Sequence, residues 1–171
     1  MKKIVKKIIS LSMCICMMMA LTVGASAAGP ATTWGSPANA VHWRNNGYTN
    51  AYMNAFVYTP ADVADGTRVT CYAKNNDNTQ RFYTQTGYLK NASRTDLVVK
   101  QVTIPTDMEP IVVLSSNTSS ATYTFESYED GYKIIDRWGQ VLTFSGIVGT
   151  SDTVAFSDDI GQNYDAVWSL E

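Results

Sequence analysis

The sequence predicts an all-β domain built from three similar units. Three polar loops each run into a small or amide residue, a spacer and an aromatic residue, and these aromatics are Phe82, Tyr123 and Trp168. They fall 41 and then 45 residues apart, a period typical of folds assembled from repeated supersecondary units. After the N-terminal segment, no window keeps an apolar stripe of helical period over three turns, so few helices are expected.

The first 28 residues are expected to be a secretory signal peptide, removed from the mature protein. Four lysines in residues 1–7 precede an apolar run at 8–23, and a small-residue cleavage pattern follows at 25–27. The apolar run is short for a membrane span, which argues against a retained anchor. The segment is typical of a bacterial exported protein, and we expect secretion with no stable membrane insertion after cleavage.

Removal of this segment changes the charge and the cysteine count. Nine basic and 15 acidic residues remain, giving a net charge of −6, which argues against nucleic acid or anionic lipid as partners. Cys71 is then the single cysteine, so the domain cannot form an internal disulfide and depends on its core for stability. About 143 residues are enough for one such core.

Strand-forming runs fill the rest of the chain. Residues 29–39 are rich in Pro, Gly, Ser and Thr and are expected to be a lead-in segment before a domain at 40–171. The domain alternates short β-branched or aromatic runs with Gly, Asn, Asp and Ser. These predicted strands are 41–43, 51–58, 68–72, 81–84, 88–89, 96–102, 111–114, 122–125, 132–135, 140–144, 153–156 and 166–170. Four strands in each of three units predict a β-trefoil, a six-stranded barrel capped by three hairpins.

The third unit resembles a repeat of the ricin-B-type β-trefoil family. Residues 132–146, 159–163 and 166–168 follow its order of strand, turn, aliphatic strand, Gly-bearing loop and terminal Gln-x-Trp. The first unit is similar and ends in Gln80-Arg81-Phe82, whereas the second keeps only the rhythm and Ala166 replaces the glutamine of the third. The resemblance covers nearly all of the domain and implies a pseudo-threefold barrel with lectin-like carbohydrate binding.

The terminal motif of each unit also has a structural interpretation that needs no sugar. An aromatic side chain at this place would fill the floor of the barrel, and the preceding amide would satisfy loop backbone groups. We therefore predict that Phe82, Tyr123 and Trp168 belong to the core.

The resemblance implies one sugar site, on the first unit. In the family, a short acid or amide, an aromatic at the end of the third strand, and polar groups beside the Gln-x-Trp hold the sugar. Carried over to this chain, these positions are Asn54, Tyr72 and Thr79-Gln80, and Thr70 could add a hydroxyl. Asn54 stands where the family usually has Asp, and Thr79 where it has Asn. Such a site stacks the apolar face of a pyranose and grips its hydroxyls.

The corresponding positions of the other units lack either the hydrogen-bonding groups or the stacking aromatic residue of such a site. The second unit has Val98 and Leu114, which offer no hydrogen bonds. The third has Thr143 and, at the stacking position, Ser157. Sugar binding is therefore expected only on the first unit.

Two other classes of function stay open. A protein-binding trefoil, such as an inhibitor or a toxin-like factor, would use the loops at 58–66 and 103–110, the second of which is apolar at its tip. A small hydrolase is disfavoured because His42 is the only histidine. Cys71 alternates with neighbours in a strand and is expected to be a buried small residue. We thus predict a non-catalytic binding module that needs no cofactor or metal.

Overall fold

Short antiparallel strands make up most of the fold. The computed structural model describes residues 35–103, 110–158 and 164–171. Its twelve strands are β1 (Val41–Asn45), β2 (Tyr52–Ala55), β3 (Val69–Tyr72), β4 (Arg81–Gln85), β5 (Tyr88–Asn91), β6 (Val98–Thr103), β7 (Pro110–Ser115), β8 (Thr124–Tyr128), β9 (Gly131–Ile135), β10 (Val141–Thr143), β11 (Ala155–Ser157) and β12 (Trp168–Leu170). Each strand overlaps one predicted run, and the helical segments within the described residues are short 3₁₀ turns. The all-β prediction is confirmed.

Six of the strands close a barrel. β1 pairs with both β4 and β12, β4 pairs with β5, and β9 pairs with both β8 and β12. The remaining step, from β5 to β8, is made by a bridge between Tyr88 and Thr122. Beside it, the backbone N–H of Tyr123 donates to the carbonyl oxygen of Gly87 at 2.8 Å. The circuit β1–β4–β5–β8–β9–β12 is therefore complete.

The other six strands form three hairpins, β2–β3, β6–β7 and β10–β11. The hairpins touch one another, because Arg68 bridges to Val113 and Thr70 bridges to Thr153. A closed barrel with three mutually contacting hairpins is the β-trefoil that the sequence predicts. In this topology, the first hairpin lies against the third unit, and the pocket described below is formed there.

The core contains the three aromatic residues that end the units. Phe82, Tyr123 and Trp168 are buried in one cluster with residues from every unit. Nε1 of Trp168 donates to the carbonyl oxygen of Leu142 at 2.9 Å. The Tyr123 hydroxyl donates to the carbonyl oxygen of Val99 at 2.8 Å. Buried aromatic residues with a polar group usually find such a partner, and the predicted core role of all three is confirmed.

Several strands are shorter in the structure than predicted, and in two of them a turn replaces part of the predicted run. The run at 51–58 leaves the sheet after Ala55, because the N–H of Val57 donates to the Ala55 carbonyl at 2.9 Å and turns the chain. The last run, 166–170, becomes a strand only at Trp168, since a 3₁₀ turn occupies Tyr164–Ala166.

The structure describes only the last residues, 35–39, of the predicted N-terminal segments. The expected signal peptide and residues 29–34 lie outside the described residues, and the division into signal peptide, lead-in and domain stays a prediction. The end of the lead-in segment is a 3₁₀ turn at Pro37–Asn39, preceded by Ser36, whose hydroxyl accepts the N–H of Ala38 at 3.2 Å. In the described parts of the chain, no helix has the length and apolar character needed to cross a membrane.

Candidate functional site

A pocket on the first hairpin brings together three of the five residues predicted to bind sugar. Asn54, Tyr72 and Thr79 line it, and its volume is about 400 Å³. Its other described lining residues are Phe56, Val57, Tyr58, Asn75, Asp77 and Gly149. Small-molecule sites commonly have volumes of about 300–1,000 Å³ and combine apolar walls with a few polar groups. The pocket has both features.

The register of the first hairpin directs the key side chains to one side. Tyr52 pairs with Tyr72, and Asn54 pairs with Thr70, in the antiparallel ladder of β2 and β3. Residues directly opposite one another, and residues two apart on a strand, share a face of the sheet. The amide of Asn54 and the ring of Tyr72 are therefore diagonal neighbours on the face that borders the pocket.

Tyr72 presents a partly exposed ring supported by the third unit. It is 42% exposed, whereas the preceding residue, Cys71, is fully buried. The N–H of Gly149 donates to the Cys71 carbonyl at 2.9 Å, which attaches the loop between β10 and β11 to β3. A Cβ atom placed on Gly149 would lie 3.5 Å from Cε2 of the Tyr72 ring. The ring therefore faces a glycine of the third unit and keeps an open surface.

Asn54 is a buried amide that borders the pocket. It is 5% exposed, and its side chain makes no hydrogen bond with any other residue in the described ranges. Buried polar side chains in folded proteins nearly always have a hydrogen-bond partner. The Asn54 amide therefore needs water or a ligand group in the pocket as its partner.

Two predicted contact residues are fully buried and do not reach the pocket. Gln80 binds the loop that precedes it: its Oε1 accepts the N–H of Asn75 at 2.7 Å, and its Nε2 donates to the Ala73 carbonyl at 2.8 Å. Thr70 is buried too, and its Oγ1 has no hydrogen-bond partner among the residues that the structure describes. The direct sugar contacts predicted for Gln80 and Thr70 are corrected accordingly, because no surface of either side chain is open to a ligand. Gln80 instead supports the pocket by fixing Asn75.

Sequence reasoning missed several residues that line the pocket. Asn75 and Asp77 belong to the loop after β3, where the N–H of Asp77 donates to Oδ1 of Asn75 at 2.9 Å. Asp77 precedes the 3₁₀ turn Asn78–Gln80, and its carboxylate makes no capping bond there. The signal available in the sequence was the run of short polar residues at 75–79. Phe56 and Tyr58 were missed as well, because the sequence predicts one continuous strand at 51–58 and does not indicate the turn after Ala55.

Solved structures show the same fold at low sequence identity. The Rhizoctonia solani agglutinin matches with a TM-score of 0.61 and 15% identity, covering 77% of this chain and 94% of the agglutinin. The β-trefoil lectin of the Vibrio vulnificus hemolysin/cytolysin, solved with N-acetyl-D-lactosamine bound, matches with a TM-score of 0.57 and 12% identity, covering 77% and 92%. The designed threefold-symmetric protein ThreeFoil matches with a TM-score of 0.59 and 15% identity, covering 77% and 96%.

The chain is a β-trefoil. Topology and structural neighbours agree on this, and identities of 15% or less establish the fold alone. No protein-family model matches the chain, and no curated protein matches it in sequence. Residue roles in this β-trefoil therefore have to be argued from its own geometry.

The equivalent positions of the other two units of the trefoil are built differently. Val98 and Leu114 of the second unit are buried in the apolar interior. In the third unit, Oγ1 of Thr143 lies 3.3 Å from Oγ of Ser157 and 3.1 Å from the Ala155 carbonyl, to which it donates. These hydroxyls bond within the protein, and neither position carries a ring.

The residues considered for catalysis have structural partners in the trefoil. Nε2 of His42 donates to the carbonyl oxygen of Asn75 at 2.9 Å, and the His42 ring packs edge-on against Tyr52. Cys71 is fully buried, and burial raises the pKa of its thiol, which keeps it protonated. Among the described residues, no three His, Cys, Asp or Glu side chains lie close enough to hold a metal ion.

A second, more polar pocket of about 360 Å³ lies at the turn between β1 and β2. Its main feature is the Glu171 carboxylate, which lies 2.7 Å from Nε of Arg44 and 2.8 Å from Nζ of Lys74. The Tyr52 hydroxyl donates to Oε2 of the same carboxylate at 2.8 Å. The hydrogen bond from Lys74 is the main cause that lowers the pKa of Glu171. The carboxylate already accepts hydrogen bonds from Lys74 and Tyr52 and forms an ion pair with Arg44, so this pocket is a partly exposed intramolecular ion-pair cluster.

Proposed function

We propose that this β-trefoil is an exported, non-catalytic module that binds carbohydrate in the pocket beside Tyr72. The observation that carries the proposal is the pairing of two groups on one face of the first hairpin: a partly exposed Tyr72 ring, and an Asn54 amide that makes no hydrogen bond to any described residue. A pyranose has an apolar C–H face and a rim of hydroxyls, and it needs both kinds of group. Tyr72 supplies the stacking surface, and Asn54 accepts from and donates to the rim.

The polar side of the pocket adds further groups for sugar hydroxyls. The Asp77 carboxylate can accept two hydrogen bonds, and hydrogen bonds to a charged acceptor are stronger than neutral ones. Asn75 retains its amide nitrogen as a donor, because its Oδ1 already accepts the Asp77 N–H. Thr79 contributes a hydroxyl at the floor, where it is nearly buried. This set of donors and acceptors could hold adjacent hydroxyls of one ring.

Export and lack of catalysis are parts of the same proposal. The lysine-rich start, apolar run and cleavage pattern of residues 1–28 support secretion. The bonding of His42 to a backbone carbonyl and the raised pKa of the buried Cys71 thiol support a binding role over a hydrolytic one. Fold neighbours that are an agglutinin and a lectin support carbohydrate as the ligand class.

A protein partner is the second candidate. The fully exposed Tyr58 begins the 58–66 loop, and exposed aromatic residues are frequent anchors in protein interfaces. The other loop predicted for protein contact, 103–110, lies mostly outside the described residues. This candidate predicts binding that is independent of sugar and is lost with Tyr58.

A glycan array decides between the two candidates. The mature protein, from residue 29, is compared with Tyr72→Ala and with Ser157→Ala, the matched change at the equivalent position of the third unit. We expect selective binding to a set of glycans by the wild type and Ser157→Ala, and loss of that set with Tyr72→Ala. Absence of any glycan signal for the wild type, or an unchanged signal for a stably folded Tyr72→Ala, would reject the sugar site.

A further inference from the structure

We propose that Phe56 and Tyr58 form a second aromatic subsite beside the Tyr72 site, so that the pocket binds a neutral oligosaccharide of at least two rings. The inference rests on the proposed carbohydrate-binding function and specifies its ligand. Tyr58, which is not among the residues that the sequence predicts to bind sugar, thereby determines specificity for ligand length.

The pocket lining continues past Asn54 into two aromatic residues. Phe56, Val57 and Tyr58 all line the pocket, although the chain turns after Ala55, where the Val57 N–H bonds to the Ala55 carbonyl. The rings of Phe56 and Tyr58 are therefore added to that of Tyr72, which is more aromatic surface than the stacking of one pyranose face requires.

Exposed apolar side chains cluster at the pocket. The large hydrophobic residues exposed in the described parts of the chain are Phe56, Tyr58, Tyr72, Trp138 and Ile147. Three of these five line the pocket, and Ile147 is two residues from Gly149, which also lines it. Soluble proteins seldom gather exposed apolar residues in one place without a binding role. Stacking of one sugar ring on Tyr72 does not require the exposed rings of Phe56 and Tyr58, which are available for a second sugar ring.

Tyr58 is exposed on a constrained backbone. On its N-terminal side, the Val57 N–H bonds to the Ala55 carbonyl at 2.9 Å. On its C-terminal side, Oδ2 of Asp62 accepts both the N–H and the hydroxyl of Thr59, at 3.0 and 2.9 Å. The fixed φ of Pro60 begins the following 3₁₀ turn. A backbone that is already ordered before binding loses less entropy when its side chain contacts a ligand, and this favours a recognition role.

The charge of the lining selects neutral ligands. Asp77 is the one acidic residue among the described lining residues, and no Lys, Arg or His is present among them. A carboxylate or sulfate on the ligand would have no cation to pair with and would be repelled by Asp77. Hydroxyl and acetamido groups can bond to Asp77, Asn54 and Asn75 without this cost. The ligand class is therefore a neutral oligosaccharide.

The test compares ligands of increasing length. Wild-type mature protein is titrated with mono-, di- and tetrasaccharides of glucose, galactose, xylose and N-acetylglucosamine, and with a galacturonic acid tetrasaccharide. The same titrations are made with Tyr58→Ala, with Tyr58→Phe, which keeps the ring, and with Trp138→Ala, which removes an exposed ring outside the pocket. Melting curves confirm that the variants are folded, which is expected because Tyr58 is fully exposed.

We expect the affinity of the wild type for at least one neutral series to rise about tenfold from the monosaccharide to the tetrasaccharide, with the uronic acid chain binding more weakly. Tyr58→Ala should lose most of that gain while keeping the monosaccharide affinity, and Tyr58→Phe and Trp138→Ala should keep the gain. Equal affinities along the series, an undiminished gain in Tyr58→Ala, or preference for the acidic chain would overturn the inference while leaving the Tyr72 site standing. No binding of any sugar by the wild type would overturn the proposed function itself.

Discussion

The ring of Tyr72 faces Gly149, so a stacking position on the first unit is bordered by a loop of the third. Gly149 has a φ of +89°, and a side chain at this residue would project toward the Tyr72 ring, with Cβ 3.5 Å from Cε2. The pocket is therefore a product of the closed trefoil, because the two residues meet only when the first and third hairpins pack together. The proximity of Gly149 to Tyr72 predicts that a side chain at residue 149 disturbs the stacking position.

Gly149→Val should reduce sugar binding more than its effect on stability explains. The left-handed backbone conformation costs a non-glycine residue about 1–2 kcal/mol, and the added methyl groups would push on the Tyr72 ring. Gly139→Val is the matched control, because Gly139 has a φ of +84° and open space around its Cβ position. Both variants should melt at a lower temperature than the wild type, and only Gly149→Val should lose affinity in titration. Equal affinities for the two variants would contradict the proposed support of the ring.

Gln80→Ala should destabilise the fold by about 1–3 kcal/mol, because it leaves the Asn75 N–H and the Ala73 carbonyl without partners. Gln85→Ala is a control, since the Gln85 amide makes one long contact of 3.4 Å to the Gly35 carbonyl. Urea denaturation measures both changes. A Gln80→Ala protein as stable as the wild type would contradict the role assigned to Gln80 in holding the loop at 73–75.

Trp168→Ala should cost about 3–5 kcal/mol of unfolding free energy, because it empties a fully buried core position. It also removes the bond from Nε1 to the Leu142 carbonyl. Trp138→Ala, at a residue 63% exposed, should change stability by less than about 0.5 kcal/mol. Thermal or chemical denaturation of the two variants should therefore differ sharply, and similar melting would exclude Trp168 as a core residue.

The Glu171 cluster should make stability depend on pH in the acid range. The pKa of Glu171 is lowered from 4.5, mainly by the hydrogen bond from Lys74, so the ionised carboxylate favours the folded state. The resulting gain in folding stability is fully present above pH 4.5. It disappears as the pH falls through the lowered pKa of Glu171 in the folded protein. The carboxylate is partly exposed, so its effect is modest and weakens in high salt.

The measurement is the difference in melting temperature between the wild type and Glu171→Gln from pH 7 to pH 3. We expect the wild type to be more stable near neutral pH and the difference to shrink below pH 4.5. Glu126→Gln is the control, because Glu126 is exposed and forms no ion pair with the described residues. A difference for Glu171→Gln that stays constant or grows on acidification would contradict the assignment.

The sequence predicted the strands, the barrel and its core because those features follow local patterns. Short β-branched runs separated by turn residues specify twelve strands, and the aromatics that end each unit are the ones that fill the barrel. Asn54 and Tyr72 could be placed from the resemblance, since their positions depend on strand register. The contribution of Gly149 could not, because it depends on how two distant hairpins pack.

The roles of the polar residues were harder to predict for the same reason. A glutamine before a core aromatic can face the solvent or bind the loop, and only the path of residues 73–75 decides that Gln80 binds the loop. That path also brings Asn75 and Asp77 into the pocket. Likewise, the turn after Ala55 interrupts a run that reads as strand to residue 58, and it leaves Tyr58 at the rim of the site.

The most direct test of sugar recognition is a calorimetric titration of the strongest array ligand against four proteins: wild type, Tyr72→Ala, Asn54→Ala and Ser157→Ala. Tyr72→Ala removes the aromatic platform, and Asn54→Ala removes the buried amide contact. Each change should lower the affinity, and we expect at least about a tenfold loss for each variant. Ser157→Ala should bind like the wild type. Undiminished binding by a folded Tyr72→Ala protein, or loss confined to Ser157→Ala, would contradict the assignment of the site to the first unit.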